Sequence, residues 1–251
     1  MIPGTLIDTL RTSAHAVILT GSGTSAESGV PTFRDAQTGL WSQYRPEELA
    51  TPEAFESDPG LVWDWYQSRR KVIAAAEPNA GHYAIAALEQ LFPKLTLITQ
   101  NVDGLHQRAG SRNVIEFHGN INRSRCTVER VIVEPRPEDD GSPPACPNCG
   151  APLRPDVVWF GEDIPHEALS AANSAVNHCD AIFVIGTSAL VQPAADLPFK
   201  ACARGAKVIE INTDATPLSA SAHFVLQGTS GRILPALLEA FSQPAQTPGD
   251  S

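Results

Sequence analysis

The sequence predicts an α/β fold in which a Rossmann-like parallel sheet carries a smaller inserted domain. Apolar runs alternate with helical patterns over the last third of the chain, small polar residues follow each predicted strand, and a cysteine-bearing stretch interrupts the pattern. Because parallel strands joined by helical crossovers end at one edge of a sheet, the polar segments are expected to meet there. The predicted site is the cleft between that edge and the inserted domain.

The composition is that of a globular chain with an acidic surface. The 251 residues are 42% hydrophobic and 18% charged, with a net charge of −10 and a pI near 5.1. Nucleic-acid binding needs clustered Lys and Arg, so this balance argues against it and favours a basic peptide as partner. There is no apolar run of about 18 residues and no signal-peptide pattern, so no membrane association is expected. The odd number of cysteines, five, indicates a reduced compartment, by default the cytoplasm.

The chain begins with a short helix over residues 5 to 14 and a buried strand over Ala16 to Leu19. Gly21 and Gly23 follow directly, and with Ala26 they fit the pattern G-x-G-x-x-G/A. Glycines at a strand end let backbone N–H groups approach a pyrophosphate, and a following helix N-terminus favours the anion. The spacing predicts a phosphate cradle, although an ordinary glycine turn would have the same spacing.

The segment after the cradle differs from that of a dehydrogenase. A dinucleotide-binding dehydrogenase continues with a helix, a second strand and an acidic residue that holds the ribose. Here residues 31 to 35 (PTFRD) and 37 to 41 (QTGLW) are typical of a loop, with no second strand behind them.

Residues 46 to 91 are predicted to be a helical module, in which Pro46 and Pro52 begin helices with acidic first turns. One helix of this module carries Tyr66 and Arg69 three positions apart, on the same face. Arginine offers a planar fork for a carboxylate and tyrosine adds a hydroxyl donor, so the pair could hold a carboxylate. Taken alone, the pattern more often means a packed tyrosine and a solvated arginine.

Two further predicted strands are followed by polar side chains that are candidates for ligand binding and catalysis. The strand over residues 95 to 99 is followed by Gln100, Asn101 and Asp103, which are expected beside the cradle. The strand over residues 113 to 117 is followed by His118. Histidine is the side chain whose ordinary pKa suits proton transfer near neutral pH, so His118 is a candidate general base.

Residues 120 to 153 are predicted to be a small insertion that is too short and polar to form a core. Cys126 and the C-x-x-C pair Cys146 and Cys149 supply three thiolates. A structural zinc can replace missing apolar burial in such a unit.

Residues 154 to 242 return to the main domain. Residues 157 to 160 have strong β character and are predicted to be a strand, buried or available to an added peptide. The strands over residues 181 to 185 and 207 to 211 end in Gly186-Thr187-Ser188 and Asn212-Thr213-Asp214. Residues 243 to 251 are predicted to be a disordered tail.

The run from Ala16 to Asp35 resembles the cofactor loop of the sirtuins, NAD-dependent protein lysine deacylases, and the resemblance extends from Thr5 to about Ala240 with five motifs in family order. Two positions depart from the family pattern. Ser22 stands where the family usually has alanine, and Glu129 stands where the second cysteine of a first C-x-x-C pair is expected. The Tyr-x-x-Arg helix is similar to that of the subgroup that removes succinyl, malonyl and glutaryl groups.

The resemblance implies a role for each motif. His118 would deprotonate a ribose hydroxyl, and Asn101 would position the attacking water or ribose. Tyr66 and Arg69 would bind the acyl carboxylate, and the acyl-lysine peptide would lie along Val158, Trp159, Phe160, Gly161 and Glu162. Zinc would be held by Cys126, Cys146 and Cys149 with Glu129, unless the unit has lost its metal and is held by loop packing. The implied NAD contacts are Gly21, Ser22, Gly23, Ser25, Ala26, Phe33, Arg34, Asp35, Trp41, Gln100, Asn101, Val102, Asp103, Gly186, Thr187, Ser188, Asn212, Thr213, Asp214 and Gly228.

The expected function is NAD-dependent removal of acyl groups from protein lysines, with succinyl and malonyl favoured over acetyl and with nicotinamide and O-acyl-ADP-ribose as products. The alternatives are a protein ADP-ribosyltransferase of the same fold, an acetyl-preferring deacetylase, a nicotinamide dehydrogenase and a catalytically silent binding module. The predicted main domain comprises residues 1–45, 92–119 and 154–242, and the smaller domain comprises 46–91 and 120–153.

Overall fold

The computed structural model describes residues 2–32, 44–133 and 143–243. These residues form nine strands, which are β1 (His15–Thr20), β2 (Lys94–Thr99), β3 (Val114–Glu116), β4 (Gly119–Cys126), β5 (Ile132–Val133), β6 (Leu153–Val157), β7 (Ala181–Ile185), β8 (Lys207–Asn212) and β9 (Phe224–Gln227). The main sheet has the order β3-β2-β1-β7-β8-β9, and every neighbouring pair in it is parallel. The predicted α/β class with a parallel sheet is confirmed.

Helices cover both faces of this sheet. The α-helices are α1 (Gly4–Arg11), α2 (Gly23–Ala26), α3 (Pro46–Leu49), α4 (Pro52–Ser57), α5 (Pro59–Ala75), α6 (Ala80–Leu88), α7 (Leu105–Arg108), α8 (His166–Asn177), α9 (Leu197–Ala203) and α10 (Ser230–Ser242). Helices α1, α6 and α10 share the core on one face, whereas α8 and α9 pack on the other. Strand β1 is buried at all six positions, as expected of a parallel strand covered on both sides.

The order of strands creates the position of the site. From β1 the chain builds β2 and β3 on one side, and later returns to add β7, β8 and β9 on the other. Open α/β sheets bind ligands outside the carboxyl ends of the strands where the order reverses, here between β1 and β7.

The inserted domain has its own apolar cluster. Strands β4, β5 and β6 form an antiparallel sheet in the order β5-β4-β6. It shares a core with helices α3 to α5, which includes the side chains of Phe55, Trp65, Tyr66, Ile121 and Trp159. The cysteine-bearing unit is joined to helix α5 through Trp63, which packs with Cys126, Cys146 and Leu153.

Helix α6 lies in the stretch predicted as the helical module, yet it packs on the main sheet. Its residues Ala84, Ile85 and Leu88 belong to the core that also contains α1 and α10. The spacing of Ile85 and Leu88 in the sequence indicates an apolar stripe on this helix but does not indicate which surface the stripe covers. The division into domains at residue 91 stays a prediction.

Strand β6 ends at Val157, so the strand expected over residues 157 to 160 was placed wrongly. The backbone N–H of Trp159 donates to the Glu162 side chain (2.8 Å), and the N–H of Phe160 donates to the Ala50 carbonyl (2.9 Å). These bonds draw the chain out of the sheet despite its β propensity.

None of the helices in the described ranges is both long and apolar enough to cross a membrane. The predicted tail beyond Gln243 lies outside the described residues.

Candidate active site

A cavity of about 1020 Å³ lies at the carboxyl edge of the main sheet, against the inserted domain. It is lined by the segments that follow β1, β2, β3, β7 and β8, by helix α5, and by the loop after β6. The structure thus brings most of the predicted site residues to one cavity, including His118, Tyr66 and Arg69.

The cradle after β1 is shaped by a close approach of two turns. A Cβ atom added to Gly21 would lie 2.7 Å from Thr187 Cβ, and one added to Gly23 would lie 2.8 Å from the Gly186 carbonyl oxygen. The backbone N–H of Gly23 donates to that same oxygen (2.8 Å). Both glycines are therefore required for packing against the turn after β7, in addition to any role toward a phosphate.

Ser25 is the centre of a buried hydrogen-bond network beside the cradle. Its hydroxyl donates to Asp103 Oδ2 (2.7 Å) and accepts from Asn101 Nδ2 (3.0 Å). Asp103 Oδ1 in turn accepts from the backbone N–H of Leu105 (2.8 Å), which fixes the loop after β2. The network holds Asn101 and Asp103 in place at the cavity wall.

His82 belongs to this network, although the sequence did not single it out. Its Nε2 lies 3.4 Å from the Ser25 hydroxyl, its side chain is fully buried, and burial lowers its pKa. Asn79 caps helix α6 by accepting from the N–H groups of Gly81 and His82. The Asn-x-x-His spacing at a helix start was the signal available in the sequence.

One wall of the cavity is built on the segments that follow strands β7 and β8. Gln100 Nε2 donates to Thr187 Oγ1 (3.1 Å), and Asn212 Nδ2 donates to the Thr187 carbonyl oxygen (2.8 Å). Thr213 donates to the Asp214 carboxylate (2.9 Å). Three strand ends are thus tied together around one wall of the cavity.

His118 lies at the end of β3 with a defined tautomer. Its Nδ1 is 3.2 Å from the carbonyl oxygen of Gln100, and a carbonyl can only accept, so Nδ1 carries the hydrogen. The Nε2 lone pair is then available to accept a proton. Burial lowers the pKa of His118, and the bond to Gln100 offsets part of that change.

Gly119 sets the turn that presents His118. Its φ is +82°, and a Cβ atom there would lie 2.2 Å from the Asp156 carbonyl oxygen. Only glycine fits this contact between strands β4 and β6.

Helix α5 supplies another part of the cavity lining. Tyr66 is 1% exposed, and its hydroxyl oxygen accepts from the indole N–H of Trp159 (2.9 Å). The Arg69 guanidinium lies 5.2 Å from the Trp65 ring centroid. Burial raises the pKa of Tyr66 and lowers the pKa of Arg69. At neutral pH this wall therefore holds a protonated hydroxyl and a cation, beside the apolar side chain of Ile73.

The loop after β6 supplies a further part of the cavity lining. Val158, Trp159, Phe160, Gly161 and Glu162 all line the cavity. The N–H of Val158 donates to the His118 carbonyl (3.0 Å), which ties this loop to the candidate base. The Glu162 carboxylate is engaged by Arg154 at 2.5 and 2.9 Å.

Two predicted cofactor residues lie outside the cavity lining. Ala26 is exposed at the end of α2, and Gly228 instead donates its N–H to the Asn212 carbonyl (2.9 Å). Four others, Phe33, Arg34, Asp35 and Trp41, lie outside the described residues. The sequence did not predict Leu190 and Val191, which line the cavity after β7 and are half exposed.

A second cluster of ligand-type atoms lies in the inserted domain. One atom from each of Cys126, Glu129, Cys146 and Cys149 lies within 4.8 Å of the other three. The Asn148 amide donates to Glu129 Oε2 (3.2 Å), and the backbone N–H of Glu129 lies 3.3 Å from Cys126 Sγ. Three thiols and one carboxylate at these separations suit a tetrahedral zinc ion.

Comparison with known proteins agrees with this geometry. Residues 21–193 match the family model described as the Sir2 family. The chain belongs to the Sir2 family.

This Sir2-family chain has curated relatives of nearly its own length. It is 49% identical over 243 residues to a protein of Methylococcus capsulatus named NAD-dependent protein deacylase, covering 94% of this chain and 95% of the relative. It is 51% identical over 241 residues to NAD-dependent protein deacylase 2 of Pyrobaculum aerophilum, with 96% of each chain covered.

Two solved structures of Sir2 homologues are also similar to this chain. A Sir2 homologue in complex with NAD has a TM-score of 0.91 and 48% identity, covering 96% of this chain and 94% of the other. A mutant Sir2 homologue in complex with 2'-O-acetyl ADP ribose has a TM-score of 0.89 and 47% identity, covering 98% of this chain and all of the other.

Proposed function

We propose that this chain is an NAD-dependent protein lysine deacylase that prefers acyl groups ending in a carboxylate, such as succinyl and malonyl, over acetyl. The observation that carries the proposal is that Tyr66 and Arg69 line the same cavity as His118. Its substrates are NAD, water and acyl-lysine in a protein or peptide, and its products are free lysine, nicotinamide and O-acyl-ADP-ribose.

NAD supplies a ribose carbon that the acyl oxygen attacks as nicotinamide departs. The roles of the chain's own groups follow from their geometry. His118 accepts a ribose hydroxyl proton on Nε2, since its Nδ1 is committed to the Gln100 carbonyl. Asn101 and Asp103, held by Ser25, orient the ribose and the attacking group.

The phosphates belong at the cradle of Gly21, Ser22 and Gly23, and the rest of the nucleotide lies along the wall formed by Thr187, Ser188, Asn212, Thr213 and Asp214. The peptide lies along residues 158 to 162, with the acidic charge of the chain favouring basic partners.

The acyl preference follows from the cost of burying charge. A carboxylate moved into an apolar pocket costs several kcal/mol unless a cation and hydrogen-bond donors meet it. Arg69 provides the cation and Tyr66 the donor, whereas an acetyl group carries no charge for them to meet. A charge-assisted contact of this kind corresponds to a preference of about 10- to 100-fold.

We also propose that a zinc ion is bound by Cys126, Glu129, Cys146 and Cys149. This cluster is in the inserted domain, where the apolar cluster is small: Trp63, Cys126, Cys146 and Leu153, with Val133 and Ala151 packed against them. The ion would therefore act in folding rather than in the reaction.

The test is a mass-spectrometric assay of two peptides of identical sequence, one with acetyl-lysine and one with succinyl-lysine, with and without NAD. We expect loss of succinyl to require NAD, to exceed loss of acetyl, and to yield O-succinyl-ADP-ribose. Faster loss of acetyl would refute the acyl preference alone. ADP-ribose attached to protein, or acyl loss without NAD, would refute the deacylase assignment.

A further inference from the structure

Trp159 contacts Tyr66, one of the two proposed acyl-recognition residues. Its side chain is 3% exposed, and its indole N–H donates to the Tyr66 hydroxyl oxygen at 2.9 Å. An indole nitrogen can only donate, so the tyrosine oxygen is the acceptor in this bond. The hydroxyl hydrogen of Tyr66 is not used by it and can be donated to a second group, and Tyr66 itself lines the cavity.

Trp159 is held on its other side by Arg154. The guanidinium of Arg154 lies 3.3 Å from the centroid of the Trp159 ring and binds Glu162 through two hydrogen bonds, of 2.5 and 2.9 Å. Glu162 also accepts from the backbone N–H of Trp159 at 2.8 Å. The ring and the backbone of Trp159 are therefore both fixed by one ion pair, which is mostly shielded from water.

We infer that Trp159 is a positioning residue that aims the Tyr66 hydroxyl at the carboxylate of the acyl group, and that Arg154 and Glu162 hold Trp159 for this purpose. The inference rests on the proposed function, since it concerns acyl recognition in the same cavity. A hydroxyl that accepts a hydrogen bond on its oxygen loses rotational freedom, and its remaining donor becomes more effective. The residues that set acyl preference thus include two from the loop after β6, far from Tyr66 in the sequence.

The test is a double-mutant cycle on acyl preference. Trp159→Phe removes the indole N–H and keeps an aromatic ring for Arg154 and Phe55, while Tyr66→Phe removes the acceptor. The measured quantity is the ratio of kcat/KM for the succinyl peptide to kcat/KM for the acetyl peptide. Because one preparation assays both peptides, the ratio does not depend on how much of a variant is correctly folded.

We expect Trp159→Phe to lower this ratio by about 3- to 10-fold, as for loss of one hydrogen bond, chiefly by raising KM for the succinyl peptide. The double variant should be no worse than Tyr66→Phe alone, since both changes break the same bond. Arg154→Lys, which keeps the charge and loses the planar fork, should lower the ratio in the same direction.

Trp63→Phe is the matched control. Trp63 is as buried as Trp159 and lies on the same helix as Tyr66. It packs against the cysteine-bearing unit, so its substitution should leave the ratio unchanged.

The outcomes separate this inference from the proposed function. If the wild type prefers succinyl and Trp159→Phe keeps the full ratio, or if the two single effects add in the double variant, Trp159 does not position Tyr66 and the inference is wrong. An unchanged ratio in Arg154→Lys would show that Arg154 does not hold Trp159 for acyl recognition. If the wild type shows no preference for succinyl, the proposed acyl preference is refuted, and this inference is refuted with it.

Discussion

His118 carries its hydrogen on Nδ1, and burial keeps its imidazole neutral to a lower pH than an exposed histidine. Since the base must be neutral to accept a proton, kcat/KM should decline on the acid side with a midpoint below 6.5, the ordinary value for histidine. A pH profile of kcat/KM with the acetyl peptide, which has no acyl carboxyl group to titrate, measures this midpoint. A midpoint above 6.5 would mean that the group whose protonation limits kcat/KM is not the buried His118.

His106 is a second buried histidine, and its burial affects how the stability of the protein depends on pH. Its Nε2 lies 3.0 Å from Thr20 Oγ1, and Thr20 donates its own hydrogen to Thr99, so Nε2 carries the histidine hydrogen. Nδ1 has no hydrogen-bond partner among the described residues. Burial, and to a lesser degree the neighbouring charge of His82, lowers the pKa of His106 to about 3.

The unfolded chain therefore binds a proton at His106 at a higher pH than the folded chain does. The contribution of neutral His106 to stability is fully present above pH 6.5 and is lost as pH falls from 6.5 toward 3. In urea unfolding between pH 7 and 5, we expect the wild type to lose roughly 1 kcal/mol more per pH unit than His106→Gln. Parallel pH dependence of the two proteins would show that His106 is not buried as a neutral group.

Among the structural elements, the cysteine-bearing unit offers a carboxylate, that of Glu129, as the fourth ligand of the proposed zinc site. Glu129 is held toward the three cysteines by the Asn148 amide. We expect about one zinc ion per purified chain, since structural zinc sites take four protein ligands. The zinc affinity of Glu129→Cys should be at least that of the wild type. Glu129→Ala should bind zinc at least tenfold more weakly.

Metal content by elemental mass spectrometry and competition with a chromophoric chelator measure both quantities. Cys202→Ser is the control, because Cys202 packs beside the main-sheet core and should keep full zinc content. A chain that is purified and folded without zinc, and does not gain stability when zinc is added, would contradict the assignment.

Elements were predictable where burial on both faces leaves a continuous apolar run. Strand β7 occupies Ala181–Ile185, the range expected from the sequence, because a parallel strand covered by helices is apolar at every position. The end of β6 was not predictable, because the carboxylate of Glu162 removes Trp159 from the sheet through a bond that propensity does not describe. The position of helix α6 was not predictable either, since periodicity indicates a buried face but not its neighbour.

For the whole molecule, most of the cavity could be predicted because the parallel topology fixes where strand ends meet. Gln100, His118 and Thr187 follow three different strands and line one cavity, as expected of polar residues at carboxyl ends. Contacts between the main sheet and the inserted domain could not be predicted this way. The bond between Trp159 and Tyr66 joins residues 93 positions apart, and no local pattern indicates such a pairing.

Under the proposed function, Arg69 makes the cavity selective for acyl groups that end in a carboxylate. Arg69→Met keeps much of the aliphatic volume beside Trp65 and Ile73 and removes the charge. We expect its kcat/KM for the succinyl peptide to fall about 100-fold or more, because the acyl carboxylate is left without a cation, while acetyl removal falls far less.

The decisive measurement is therefore the ratio of succinyl to acetyl kcat/KM in the wild type and in Arg69→Met, with NAD saturating. We expect a ratio above one in the wild type and below one in Arg69→Met. Equal loss of both activities in Arg69→Met, with the ratio unchanged, would show that Arg69 does not set the acyl preference.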